Sequence, residues 1–144
     1  MEQPTYDDVN LILKLYELRR EKKMREARSW FVANFKCKTM GEFSELCPHG
    51  SDANAHFRQV ASYWDMCGSF INAGVLNADL FFVNTRELLL CWVRVSAVIG
   101  ELRKAFGDPN FMGNLEKSGK ACADWFIRTS GQAAYDGFLK RVGG

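Results

Sequence analysis

The chain has no glycine-rich phosphate loop, no C-x-x-C pair, two histidines and three prolines in its 144 residues. Each shortage weakens one reading of function. Neither G-x-x-x-x-G-K nor G-x-G-x-x-G occurs, so the usual backbone cradle for a nucleotide has no signature here. A zinc knuckle would need closely paired thiols. A di-metal helical bundle would need Glu-x-x-His pairs on facing helices. No G-x-S-x-G elbow is present to present a nucleophile. The most apolar run, Leu88 to Ile99, is interrupted by Arg94; it falls short of the roughly 20 residues that a membrane-spanning helix needs. The formal net charge is only +2, so attraction to nucleic acid or to a membrane would have to come from a local patch.

What is present describes an ordinary globular chain. Apolar residues make up 47% and charged residues 25%, which suits a folded domain and not a disordered one. The length fits one domain over residues 1–144, large enough to bury a core without staples. The five cysteines, Cys37, Cys47, Cys67, Cys91 and Cys122, are odd in number and form no spacing framework. The opening residues, Met1 to Asp8, are polar and acidic and do not read as a secretory signal. The expectation is reduced thiols in a cytoplasmic protein.

Apolar spacing is helical throughout, with no internal repeat and no sustained alternation of period two. Thr5 and Asp8 form a capping box with Asp in place of Glu. They open a first helix carrying two apolar stripes, Val9–Ile12–Leu13–Tyr16 and Leu11–Leu15–Leu18. The polar gap from Arg19 to Lys23 contains neither Gly nor Pro, so one long helix is expected to run on to Phe35. A short helix follows from Thr39, capped with Glu42, to Cys47. The next spans Ser51 to Ala73, stopped by Gly74. Its polar stripe is Arg58, Ser62, Asp65, Ser69 and Asn72. Asn77 caps a short turn of helix. Thr85 to Phe106 then carries the cleanest apolar stripe, with Glu87, Arg94 and Glu101 expected on the solvent side. Blocks from Asn110 to Arg128 and from Gln132 to Val142 complete the chain, the last expected to fray. Gly68 and Gly119, inside helices, imply close approach of a neighbour. The fold class is all-α: an irregular bundle of five to six helices with a long N-terminal helix.

Several segments together resemble a known family. They are Leu15-Tyr16-Glu17-Leu18-Arg19-Arg20, Met24 to Phe31, Phe57 through Tyr63-Trp64-Asp65 to Gly68, Gly74-Val75-Leu76 and Leu80-Phe81-Phe82. This set is similar to a bacterial helical family described only as a domain of unknown function, over about Leu11 to Phe126. The resemblance implies an all-helical bacterial protein and transfers no catalytic residue. Some members of that family carry membrane segments ahead of the domain, which keeps membrane docking as a lesser reading.

Individual residues offer limited chemistry. Cys37, Cys47, His49 and His56 lie within twenty residues and are the only metal candidates; loop thiols and surface histidines are the preferred reading. Cys47 and His49 would make an unusual thiolate–imidazole pair, since such geometry is set by the fold and not by sequence adjacency. Trp30, Trp64, Trp92 and Trp125 suit a core better than a ligand pocket. The basic run Arg19, Arg20, Lys22, Lys23, Arg25 and Arg28 could neutralise phosphates, but interleaved glutamates suit a solvated helix face. No cofactor is implied. The leading expectation is a non-catalytic helical module with a protein partner, self or other, using Leu11, Leu15 and Leu18. Behind it stand an anionic-surface or nucleic-acid binder using the basic run, and a small enzyme or ligand-binding protein with a pocket between helices.

Overall fold

The computed structural model describes residues 3–143. Among them the chain forms helices only: α1 (Tyr6–Arg19), α2 (Lys22–Asn34), α3 (Met40–Leu46), α4 (Asp52–Asn72), α5 (Ala78–Asn84), α6 (Glu87–Ser96), α7 (Ile99–Phe106), α8 (Gly113–Ser130) and α9 (Gln132–Val142). Local chemistry sets most starts. Thr5, Thr39, Ser51 and Asn77 are N-caps whose side chains each accept from the backbone N–H three residues on, satisfying donors that the first turn leaves free. Gly107 adopts φ +64 and ends α7, a conformation that costs glycine little.

The nine helices of the described residues exceed the five or six expected because two long helices are broken and the short segments α3 and α5 are helices in their own right. The first breaks at Arg20–Glu21, without Gly or Pro. Glu21 leaves helical geometry and its carboxylate caps α2, accepting from Met24 N at 3.2 Å. Arg28 then donates to the freed carbonyl of Arg19 at 2.8 Å. The chain turns there because side chains satisfy both exposed helix ends. The second break falls at Val98, which has φ −127 and is almost wholly buried. The run from Leu88 to Ile99 is rich in β-branched residues, which gain little from helical geometry. Re-aiming the chain keeps Val95, Val98, Ile99 and Leu102 inside, while Phe106, expected on the apolar stripe, is left 49% exposed.

Helices α4 and α8 form the central pair, with α2 against α4, α6 against both, and α9 against α8 and α6. One continuous apolar core runs through them, including Phe31, Phe35, Phe57, Trp64, Leu88 and Phe126. The central pair meets closely because glycine removes a side chain at the crossing. A Cβ on Gly68 would lie 2.4 Å from Ser118 Oγ and 2.7 Å from the Asn114 carbonyl oxygen. Gly119 sits as tightly under Trp92. The expected solvent stripe of α4 is solvated only in part. Asp65 accepts from Leu115 N at 2.8 Å near the start of α8, and Asn72 donates to Asn114.

Three further expectations are corrected. Arg94 is buried and not on a solvent face. Its guanidinium donates to the carbonyls of Phe31, Val32 and Phe35 at the end of α2, and to that of Val142 on α9. Positive charge is favoured there, because carbonyls accumulate at a helix C-terminus. Glu87 is only half-exposed and pairs with Arg28 at 2.6 Å, whereas Glu101 is exposed as expected and accepts from Met40 N at 3.1 Å. The last helix is seated, with Phe138 and Val142 buried and Phe126 against both Tyr135 and Phe138.

Candidate interaction surface

Helix α1 is fixed along its inner side mainly by polar contacts. At its start the capping box is complete: Thr5 N donates to Asp8 Oδ2 at 2.8 Å and Asp8 N to Thr5 Oγ1 at 3.2 Å. The other Asp8 oxygen accepts from Asn77 N at 2.8 Å, tying α1 to the cap of α5. In the middle, Tyr63 OH donates to the Leu15 carbonyl. At the far end, Arg19 is buried with its guanidinium 4.9 Å from the Tyr16 ring centre and 5.6 Å from that of Trp64. Of the two apolar stripes, Leu15 lies in the core at 1% exposure and Leu11 packs against it half-buried, while Leu18 stays exposed. Leu11 and Leu15 are therefore committed to the fold.

The opposite face of α1 is apolar and uncovered. Tyr6 is 89% exposed and Leu13 54%, with Val9 and Tyr16 also exposed. These four recur at steps of three, four and three residues, the seam spacing of paired helices. Tyr6 was not singled out in the sequence, although this spacing was readable there. Which stripe faces inward is decided by the distant partners Asn77 and Tyr63.

The backbone hydrogen bond from Asn77, with that from Thr5, holds the Asp8 carboxyl below its usual range. A lowered folded pKa contributes stability that is present above about pH 4, the unfolded value, and is lost as the pH falls through the folded one. Asp8→Asn offers one carbonyl oxygen to two backbone donors. Its urea midpoint is expected to drop at neutral pH, and its decline below about pH 4 to be shallower than in the wild type. A residual slope belongs to Glu116, which Lys120 and Arg103 hold low. Equal slopes in both proteins would remove Asp8 from this role.

The basic run is divided by the fold. Arg19 is buried and Arg28 is held by Glu87, leaving Arg20, Lys22, Lys23 and Arg25 exposed at the α1–α2 elbow. Cys37 and Cys47 are buried, His49 is exposed, and His56 packs against Trp30 with ring centres 5.7 Å apart. Burial pushes the Cys47 thiol up to about 11, with Cys37 adding to it, so the thiolate needed for metal binding or attack is disfavoured. Among the described residues, no group of three or more His, Cys, Asp or Glu could hold a metal ion. Trp64, Trp92 and Trp125 are core residues. Among the described residues the buried indole N–H of Trp64 has no hydrogen-bond partner, and the gap it shares with Phe31, Val60 and Cys91 has no room for a water.

These features define an all-helical protein, and among the described residues no helix is long and apolar enough to cross a membrane. The chain belongs to the family described as a domain of unknown function, DUF4760, whose model matches residues 4–121. The match starts ahead of Leu11 and stops before Phe126, close to the span the sequence motifs indicate. No curated protein and no solved structure matches the chain.

Proposed function

We propose that the protein is a non-catalytic helical interaction module that receives a partner helix along the outer face of α1. The observation carrying this reading is the exposed Tyr6–Val9–Leu13–Tyr16 seam on a helix whose inner side is tied down at three points. Apolar side chains contiguous on a surface favour burial against another molecule. A helix already held in place loses little further freedom when it is covered. Partner recognition by helix pairing reads anchors at this spacing. The reading replaces Leu11 and Leu15 as contact residues with the seam on the other side of the same helix.

A photo-reactive phenylalanine analogue placed at Leu13 tests it in living cells. The expected outcome is a discrete protein adduct that disappears when Val9→Asp or Tyr16→Asp is added. The same probe at Val83, exposed but isolated on α5, should yield no such adduct. Equal labelling at both positions, or none at Leu13, would sink the reading.

A further inference from the structure

We infer that the partner of the α1 face is a second copy of this chain, packed antiparallel about a two-fold axis near Leu11; this inference rests on the reading above. The seam is self-complementary when reversed. With two α1 helices antiparallel, Tyr6 lies level with Tyr16 of the second copy, and Val9 level with Leu13 of the second copy. Aliphatic side chains then meet at the centre and aromatic ones at both ends. Such a contact uses the same patch twice and closes on itself, as two-fold interfaces do.

Charge selects this direction over the parallel one. The N-terminal end of α1 is acidic: Asp7 lines a cleft of about 490 Å³ together with Asp79 from the start of α5. The C-terminal end is basic, with Arg20, Lys22, Lys23 and Arg25 exposed at the elbow and outnumbering Glu17, Glu21 and Glu26. Antiparallel packing sets the basic elbow of each copy beside the acidic end of the other. Parallel packing would set like against like at both ends, which opposes association. Arg20 already lies over the exposed Tyr16 ring, 5.3 Å from its centre, so the seam ends in a cation. A seam of three turns is at the small end of specific interfaces, so the association depends on concentration.

Sedimentation equilibrium on the full chain, from micromolar to near-millimolar concentration and at low and high salt, tests the inference. The wild type is expected to dimerise reversibly, and added salt to weaken the dimer by screening the end-to-end attraction. Leu13→Glu is expected to raise the dissociation constant on the order of tenfold or more, with helix content and melting unchanged because Leu13 is exposed. Tyr16→Ser serves as a second seam variant. Arg20→Glu with Lys23→Glu should weaken the dimer, and adding Asp7→Lys with Asp79→Lys to the same chain should restore it. That restoration is peculiar to antiparallel packing, since a parallel dimer gains nothing from exchanging its two ends. A dimer that added salt strengthens, that ignores both seam variants, or that the four-residue exchange fails to restore would overturn the inference. A protein monomeric throughout would overturn it as well. If the Leu13 probe still captured a different protein in that case, the interaction module would stand and only its self-partner would fall.

Discussion

Arg94→Met is expected to lower the unfolding free energy by about 2–3 kcal/mol, because it leaves buried carbonyls without their donor. The guanidinium reaches four carbonyls from two separate parts of the chain. Methionine preserves the apolar stem but donates to none of them. Phe31 O retains a backbone partner, since Phe35 N donates to it at 2.9 Å. The other carbonyls at this junction lose the guanidinium, at about 1–3 kcal/mol for each one left buried and unsatisfied. The substitution also relieves the desolvation of a charged group, so the net loss is well below the sum of four bonds. Burial lowers the Arg94 pKa, yet an arginine stays charged at neutral pH, and among the described residues its hydrogen bonds all go to carbonyls. Urea denaturation measures the loss, and amide exchange should show α9 opening before the rest. A midpoint within about 1 kcal/mol of the wild type would mean that the carbonyls find other partners.

Gly68→Ala is expected to destabilise by about 1–2 kcal/mol, although alanine is the better helix former by about 1 kcal/mol. The new methyl group would meet Ser118 Oγ at 2.4 Å and the Asn114 carbonyl oxygen at 2.7 Å. Ser118 can rotate, at the expense of its 2.7 Å hydrogen bond to Asn114 O. The carbonyl belongs to the backbone of α8 and can move only if the central helix pair separates. Overpacking of this kind typically costs about 1–3 kcal/mol, and here it must exceed the propensity gain. Adding Ser118→Ala should recover only part of the loss. Gly100→Ala is the control: nothing lies within 4 Å of its added Cβ, and a small gain in thermal stability is expected. A stabilised Gly68→Ala protein would show that α4 and α8 are less closely packed than described.

The sequence exposed what is decided locally. Caps at Thr5, Thr39, Ser51 and Asn77 announce themselves by residue type, and Gly68 and Gly119 mark close helix approach because no other role explains them there. What it hid is decided at a distance. Arg94 sits in a regular charged stripe with Glu87 and Glu101, and only carbonyls 48 to 63 residues away make it a core residue. The break before α2 depends on Glu21 and Arg28 acting together across the elbow. The outward seam of α1 was half legible: Val9, Leu13 and Tyr16 stood in one of two competing stripes. The choice between them comes from Asp8 reaching Asn77, 69 residues further on.

The hold of Arg94 on Val142 also joins the segment that the family model matches to a segment beyond it. The family match ends at residue 121, inside α8. Beyond it lie Cys122, Trp125, Phe126, Phe138 and Val142, all buried in the same core as the matched helices. A chain cut at that boundary would stop α8 in mid-course, strip one wall from the core, and leave the Arg94 guanidinium short of an acceptor. The buried core thus extends past the segment that sequence comparison recognises. A chain ending at residue 121 is therefore expected to unfold at a lower urea concentration than the full chain, because Cys122, Trp125, Phe126, Phe138 and Val142 would no longer close the core.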